Sequence, residues 1–250
     1  MANYAFSDIH GNYNLWEQIK NYCKPEDTIY FLGDAIDRGQ NGVKIIKELI
    51  EDPRVIYIKG NHEYIMEKYF LNPTKENLDF WDKNGGVPTQ QQLCSISKEE
   101  IINLLEAIQA MPYYCKYTNT KEQEIFLCHS GFYTELDKIK KFDREWYKLK
   151  LLQDREHIEK PKSIWFQASD IDYIIHGHTP TKYFKYLYNK EVEKDKPAFY
   201  GHKIDIDIGT YDNKKIVLFN LDDFTYKIFE GEDFINENSN GRIVEEVYSR

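Results

Sequence analysis

Five polar clusters, each following a short apolar segment, constrain the fold of this chain more than any other sequence feature. In residues 1–70, an alternating apolar segment at 3–7 is followed by helical spacing at 13–22, and the same change of period occurs twice more. Strand, loop and helix repeated three times predict βαβ units with a largely parallel sheet. Ligands bind outside the carboxyl ends of such strands, so we expect the clusters to meet at one crevice.

The predicted elements become richer in strands toward the carboxyl end. The predicted strands are 3–7, 28–32, 55–59, 113–117, 124–128, 173–175, 203–208, 215–220 and 225–230. The predicted helices are 13–22, 43–51, 63–70, 77–83, 98–110 and 144–158. We interpret 84–89 as a turn and 183–202 as a solvated excursion, with a surface loop lining the substrate crevice as the alternative. Residues 244–248 could pack as a terminal strand or helix.

The length and composition favour one globular domain. The chain has 250 residues with 41% hydrophobic content, and neither an internal repeat nor a linker divides it. We expect a catalytic domain at 1–232 and a polar extension of the same domain at 233–250. The four cysteines lack a paired spacing, and neither a secretory signal nor an apolar run of membrane length is visible. These features predict a cytoplasmic protein without membrane contact.

The net charge of the chain indicates which classes of partner it can bind. The formal net charge is −9, with acidic residues along the whole chain, which argues against a nucleic-acid partner because such proteins carry a basic face. A phosphate-bearing substrate is still compatible, since bound metal ions reverse the sign of the local field. The charge therefore favours a metal-assisted site over one made of arginine and lysine alone.

The residue types in the clusters fit a metal site. Asp, His and Asn supply oxygen and imidazole ligands that suit Mn, Fe and Zn. One aspartate after a strand is often a helix N-cap, and one buried histidine is often only hydrogen-bonded. The joint occurrence of five clusters in order outweighs those interpretations. The clusters are DIHG at 8–11, GDAIDRG at 33–39, GNHE at 60–63, HSG at 129–131 and HGH at 176–178.

These motifs resemble those of the calcineurin-like metallophosphoesterases, within them the phosphoprotein-phosphatase branch of bacterial and phage type. That branch carries GDxHG, GDxxDRG, GNHE, HGG or HAG, and a late GH; this chain has SDIHG, GDAIDRG, GNHE, CHSG and HGHT in the same order. Ser7 and Ser130 stand where the family has glycine and a small residue. The resemblance spans 4–209 and implies an α/β fold, a four-layer α/β/β/α sandwich with two mixed β-sheets.

The resemblance implies two divalent metal ions and six protein ligands. Hydrolysis would follow from in-line attack by a hydroxide that bridges the ions. Mn is the expected metal, with Fe, Zn, Co and Ni as alternatives. Asp8 and His10 would bind the first ion, and Asp34 would bridge both. The ligands of the second ion would be Asn61, His129 and His178.

The resemblance also implies residues that act on the phosphoryl group. His62 would protonate the leaving oxygen, with Asp37 holding its tautomer. Arg38 would bind the phosphoryl oxygens, whose geometry its planar guanidinium matches. A Leu-Leu-Gln-Asp-Arg segment resembles Leu-Leu-Trp-x-Arg of the family and makes Arg155 the second substrate-binding arginine, with Arg144 as its competitor.

Three further features concern the branch of the family and the choice of site residues. Pro180 stands where many phosphodiesterases of the superfamily have a second metal-binding histidine, and this favours the phosphatase branch. His178 matches the family ligand after Gly, so we interpret His176 as a structural neighbour. The segment 81–86 resembles a W-x-x-N-G-G element, but we interpret it as an ordinary turn between helices.

The substrate class stays open at this point. A protein serine/threonine phosphatase, possibly also acting on phosphotyrosine, is favoured because no strongly basic stretch is apparent to hold a polyphosphate. The alternative is a hydrolase of dinucleoside polyphosphates such as diadenosine tetraphosphate. A non-catalytic metal-bound interaction module is a third hypothesis, although no motif residue is missing. The oligomeric state is not encoded in these features.

Overall fold

A computed structural model describes residues 1–135, 138, 140–155, 170–186 and 193–231. The strands are β1 (Asn3–Phe6), β2 (Thr28–Phe31), β3 (Val55–Tyr57), β4 (Tyr114–Thr118), β5 (Glu124–Cys128), β6 (Tyr173–His176), β7 (Ala198–Tyr200), β8 (Lys203–Asp205), β9 (Lys215–Asn220) and β10 (Tyr226–Glu230). The helices are α1 (Tyr13–Tyr22), α2 (Gly42–Glu51), α3 (Asn61–Leu71), α4 (Lys75–Lys83), α5 (Val87–Leu93), α6 (Lys98–Ala110), α7 (Arg144–Gln153) and α8 (Thr210–Asn213). Two 3₁₀ helices lie at Lys141–Asp143 and Thr181–Tyr186.

The strands form two mixed sheets of five strands each. The first has the order β10-β9-β1-β2-β3, in which β1, β2 and β3 are parallel and β9 and β10 are joined by antiparallel pairing. The second has the order β4-β5-β6-β8-β7, with β5, β6 and β8 parallel between antiparallel edges. The parallel strands carry the predicted clusters, so the carboxyl ends of both sheets are available to build one site.

The register of β1 and β2 sends alternate side chains to two different cores. Ala5 pairs with Tyr30, and Phe6 pairs with Phe31. Successive residues of a strand face opposite sides of its sheet. Ala5 and Tyr30 therefore lie in a core shared with Ile175 of the second sheet, whereas Phe6 and Phe31 lie in a core shared with helices. The two sheets thus pack face to face.

Helices cover the outer faces of both sheets. Trp16 of α1 and Ile46 of α2 are buried in the core that contains Phe6, on the outer side of the first sheet. Leu151 of α7 is buried with Phe126 on the outer side of the second sheet. The four-layer α/β/β/α sandwich with two mixed sheets is confirmed.

Two predicted elements end three or more residues earlier than the sequence indicated. The strand predicted at 203–208 ends at Asp205, because the Asp205 and Asp207 carboxylates accept the N–H groups of Asp207 (2.9 Å) and Gly209 (2.8 Å). Such side-chain bonds to nearby backbone turn the chain away from a ladder. The helix predicted at 144–158 ends at Gln153, and 156–158 lie outside the described residues.

Two elements form where turn or loop was predicted. α5 begins at Val87 within the predicted turn at 84–89, and Pro88 stands in its first turn, where the missing N–H is not needed. β7 forms within the predicted loop at 183–202 and pairs antiparallel with β8. It has three residues, which is too short to show a period of two.

The predicted polar extension at 233–250, including its possible element at 244–248, lies outside the described residues, so the division of the chain at 232 stays a prediction. No helix among the described residues combines the length and the apolar character needed to cross a membrane.

Candidate active site

Loops after five parallel strands meet at the carboxyl ends of the two sheets. They follow β1, β2 and β3 of the first sheet and β5 and β6 of the second. Every side chain predicted to bind metal lies in these loops or at the start of the next helix, and each is buried: Asp8, His10, Asp34, Asn61, His129 and His178. The structure therefore brings together the donors that the sequence separated by up to 170 positions.

Asp34 lies at the centre of this cluster. Its Oδ2 is 3.8 Å from Nε2 of His10 and 3.4 Å from Nε2 of His129. Two groups of donor atoms, each within 4.8 Å, contain it: one with His10 and His62, the other with His129 and His178. A carboxylate common to two donor groups is the arrangement that two neighbouring divalent ions require.

Hydrogen bonds fix which imidazole nitrogen faces Asp34. Nδ1 of His10 lies 3.0 Å from the carbonyl of Ile36, and Nδ1 of His129 lies 2.7 Å from the carbonyl of Leu32. A carbonyl oxygen only accepts, so both Nδ1 atoms carry the proton and both Nε2 atoms present lone pairs to the site. Backbone carbonyls fix metal-binding histidines in proteins in this way.

The contact between His129 and Asn61 tests the fit of a metal. Nε2 of His129 lies 2.8 Å from Oδ1 of Asn61. Because Nδ1 of the neutral ring holds the proton, both facing atoms are acceptors, and only a cation or an extra proton satisfies them together. The donor set, nitrogen and oxygen, suits divalent transition metals. The residues present therefore fit the metals that the motifs imply.

The charges around the site also favour a cation. Burial, together with the Arg38 guanidinium, holds the pKa of His10 well below its usual range, and burial with the neighbouring His129 does the same for the pKa of His178. Burial lowers the pKa of His129 as well, but the Asp34 carboxylate outweighs it and raises that pKa to about 10. Positive charge is thus stabilised between Asp34 and His129.

Asp8 is oriented from two sides. Its Oδ2 accepts the backbone N–H of His178 at 2.9 Å and the hydroxyl of Ser7. The other oxygen, Oδ1, lies 4.0 Å from Nε2 of His10. Ser7, which stands where the family motif has glycine, therefore bonds directly to a predicted metal ligand.

The site also concentrates unusual backbone conformations. Non-glycine residues with positive φ are uncommon, and such strain collects at functional sites. Six of the ten in the described part of the chain belong to the predicted site: Asp8, His10, Asp34, Asp37, Arg38 and His178.

The residues predicted to act on the phosphoryl group are close together. Nδ1 of His62 lies 2.7 Å from Oδ2 of Asp37, and Nη2 of Arg38 lies 3.2 Å from Nε2 of His62. Burial lowers the pKa of His62, but the carboxylates of Asp34 and Asp37 outweigh it, and the net shift is upward. Nε2 of His62 is 3.7 Å from Oδ2 of Asp34, so it borders the predicted metal centre.

Two residues that form hydrogen bonds with Asp37 were not predicted from the sequence. Nε1 of Trp81 donates to the Asp37 carboxylate at 3.0 Å, and Oγ1 of Thr89 donates to it at 2.7 Å. The carbonyl of Gly85 also accepts the N–H of Arg38 at 2.8 Å. The segment 81–86 does contain the predicted turn between α4 and α5, and it also supports Asp37 and Arg38, a role that the turn interpretation did not include. Its resemblance to W-x-x-N-G-G was the available signal.

The role of Glu63 in joining the loops of the site was also not predicted from the sequence. This carboxylate is fully buried and accepts the backbone N–H groups of Asp34 (2.9 Å), Ala35 (2.9 Å) and Gly60 (3.0 Å). It thereby joins the loop after β2 to the start of α3. The signal was the last letter of the GNHE motif.

The structure separates the two competing arginines. Nε of Arg155 donates to Nε2 of His178 at 3.4 Å. Arg144 is the first residue of α7 and lies about 13 Å along the helix axis from Gln153, the last residue of α7, which is close to Arg155 in the chain. Arg155 therefore borders the site. His176 contacts Tyr200 and the Gly177 carbonyl and belongs to neither of the two donor groups found among the described residues.

Fold and site together define a metallophosphoesterase, and the comparisons identify the family. A family model described as calcineurin-like phosphoesterase matches residues 4–182. The chain belongs to this family and is a hydrolase acting on phosphoester bonds. Its His and Asp groups fit the dinuclear divalent metal centre of these enzymes.

Two curated proteins are similar to this chain in sequence, and a third protein of known structure is similar in fold. The chain is 26% identical over 236 residues to the bis(5'-nucleosyl)-tetraphosphatase PrpE [asymmetrical] of Oceanobacillus iheyensis, with 85% of each chain covered. It is 21% identical over 175 residues to the symmetrical bis(5'-nucleosyl)-tetraphosphatase of Hamiltonella defensa, covering 65% of this chain and 59% of the relative. A protein serine/threonine phosphatase structure from Saccharomyces cerevisiae superposes with a TM-score of 0.59 at 13% identity, covering 94% of this chain and 82% of that one.

Proposed function

We propose that this protein hydrolyses dinucleoside polyphosphates with two divalent metal ions. The observation that carries the reaction class is the buried Asp34 carboxylate common to two donor groups. The observation that favours the substrate is the relative named as an asymmetrical bis(5'-nucleosyl)-tetraphosphatase, which is covered over 85% of both chains. This reverses the order that the sequence motifs alone indicated, in which a protein phosphatase came first.

The predicted ligand division is retained in the proposal. Asp8 and His10 would hold one ion, and Asp34 would be shared. The ligands of the other ion would be Asn61, His129 and His178. Mn is the proposed metal, with Fe, Zn, Co and Ni as alternatives, and a cytoplasmic location is proposed from the sequence. When bound, the ions neutralise phosphoryl charge and lower the pKa of a coordinated water.

The chain's own residues supply orientation and a proton. Arg38, whose Nη2 now contacts His62, turns its guanidinium to the phosphoryl oxygens, and Arg155 binds them from the side of His178. As water attacks phosphorus in line, the bond to the leaving oxygen breaks and Nε2 of His62 gives that oxygen its proton; the proton that the water loses passes to solvent, from which His62 is protonated again. Asp37, 2.7 Å from Nδ1, keeps the imidazole in the required orientation.

A protein phosphatase is the second candidate, favoured by the formal net charge of −9, which is unfavourable for holding a polyphosphate chain. The fold likeness to the yeast phosphatase shows only that the fold is common to both. We infer that peptide phosphoesters are poorer substrates than a dinucleotide.

Parallel assays of purified protein with Mn²⁺ on diadenosine tetraphosphate and on phosphoserine, phosphothreonine and phosphotyrosine peptides test the proposal. We expect faster turnover of the dinucleotide. AMP with ATP as products indicates asymmetrical cleavage, and ADP alone indicates symmetrical cleavage. Efficient peptide turnover without dinucleotide turnover would overturn the substrate, and an Asp34→Asn variant with full activity would overturn the site.

A further inference from the structure

The segment 138–150 is the most basic part of an otherwise acidic chain. It carries six cationic and two acidic residues, whereas the whole chain has a net charge of −9. The earlier premise that no basic stretch exists is therefore wrong for this segment. The cations are Lys138, Lys140, Lys141, Arg144, Lys148 and Lys150.

Exposed aromatic rings accompany these cations. Trp146 on α7 is 54% exposed, and its ring centroid lies 6.3 Å from that of Phe132. Nζ of Lys150 lies 5.4 Å from the ring of Trp146 and 5.8 Å from that of Phe132. An exposed indole beside a lysine is a common platform for stacking a nucleobase.

Hydrogen bonds connect α7 to the loop after β5, which carries the predicted metal ligand His129. Phe132 follows the HSG cluster by one residue, and Ser130 of that cluster donates its N–H to the Leu151 carbonyl (3.1 Å) and its hydroxyl to the Lys150 carbonyl (2.6 Å). These bonds satisfy carbonyls at the end of α7, which otherwise lack partners. The serine that departs from the family motif thus couples α7 to the site.

The geometry along α7 matches an extended anionic ligand. Arg155 borders the site at His178, two residues beyond the end of α7. Trp146 lies seven residues before Gln153, which corresponds to about 10 Å along the helix axis. A chain of linked phosphates with a ribose can bridge that separation, whereas an isolated phosphate cannot.

Two lysines of this segment form ion pairs within or next to α7. Lys148 pairs with Glu145 at 2.6 Å and Lys150 with Asp154 at 2.7 Å. The Lys148–Glu145 pair lies at the surface and contributes about 0–1 kcal/mol, so a polyphosphate can displace it, whereas Lys150 keeps its pairing with the buried Asp154 carboxylate. Lys140 and Lys141 are exposed.

We propose that the aromatic-basic face made of Phe132, Trp146 and Lys150, together with the exposed Lys140 and Lys141 just before α7, binds the nucleoside end of the substrate that extends out of the metal site. The base stacks on the indole of Trp146, and the lysines neutralise the phosphates between base and metal centre. The occupant is a nucleotide because the face combines exposed rings with positive charge. This inference rests on the proposed function.

The test compares two substrates in Trp146→Ala. We expect the KM for diadenosine tetraphosphate to rise about tenfold, equivalent to about 1.4 kcal/mol, with kcat unchanged. The KM for p-nitrophenyl phosphate, which has no base to stack, stays constant. Trp146→Phe restores part of the affinity, and Tyr226→Ala, which removes another exposed ring on β10, changes neither KM.

A second variant tests the charges. Lys140→Gln with Lys141→Gln should raise the same KM and weaken its dependence on salt concentration, because fewer cations meet the phosphates. An unchanged dinucleotide KM in Trp146→Ala would overturn the inference, and so would an equal rise for p-nitrophenyl phosphate or a rise for phosphopeptides alone. If the unmodified protein does not turn over the dinucleotide, the proposed function fails and this inference fails with it.

Discussion

Thr89→Val tests whether a residue far from the motifs sets the catalytic geometry. Oγ1 of Thr89 accepts the backbone N–H of Asp37 at 2.9 Å and donates to its carboxylate at 2.7 Å. The side chain is completely buried. Valine has nearly the same shape, so the substitution removes both hydrogen bonds with little change in packing.

The expected cost follows from these two bonds. A hydrogen bond to a charged group contributes about 1.5–3 kcal/mol, and a buried N–H left without a partner costs about 1–3 kcal/mol. Trp81 and His62 still contact the Asp37 carboxylate, so we expect a loss near the lower end of the sum, about 3 kcal/mol. A stability of about 5–15 kcal/mol leaves the variant folded.

Urea unfolding and steady-state kinetics measure the two consequences. The free energy of unfolding should fall by about 3 kcal/mol, and kcat should fall about tenfold because Asp37 no longer holds His62 in one orientation. Thr179→Val is the matched control, since its buried hydroxyl has no hydrogen-bond partner among the described residues and its loss should cost nothing. Equal stability and equal kcat in the two variants would refute the support assigned to Thr89.

Other predictions concern the proton donor, the buried carboxylate and a surface ion pair. His62→Asn should lower kcat by about 10²–10⁴ with metal content unchanged, which elemental analysis checks; loss of metal would instead make His62 a ligand. Glu63→Gln, which sets amide protons against backbone N–H groups, should lower the urea-derived unfolding free energy by about 2–3 kcal/mol, and wild-type stability would contradict this. Arg54 bonds hold the pKa of Asp52 below its usual range, so its contribution is present above about pH 4 and is lost as pH falls through the folded pKa. Asp52→Asn should therefore lower stability by about 1 kcal/mol at pH 7 and by less at pH 3, and an equal loss at both would contradict the pairing.

Local patterns predicted the order of strands and helices, whereas the family resemblance supplied the four-layer sandwich and the proposed metal donors. α6 was predicted at its observed bounds because helical spacing persists over thirteen residues. Asp34 and His129 were assigned from motifs that directly follow strands, and parallel strands bring their carboxyl ends together whatever the rest of the chain does.

The missed features depend on contacts distant in sequence. Trp81 and Thr89 lie 44 and 52 residues from Asp37, and no periodicity records that they meet it. The start of α5 lies within the predicted turn at 84–89, because two glycines precede the helix and Pro88 lies inside it. β7 has three residues on a sheet edge, where pairing with β8 rather than its own pattern decides its conformation.

Metal stoichiometry measured with activity tests the central claim most directly. Protein stripped with a chelator, then titrated with Mn²⁺, should regain hydrolysis only as the second ion binds, because Asp34 belongs to both donor groups. Asp34→Asn should lose most of the activity and at least one ion while staying folded. Full hydrolysis by the stripped protein, or by Asp34→Asn, would contradict the claim that a dinuclear centre carries the chemistry.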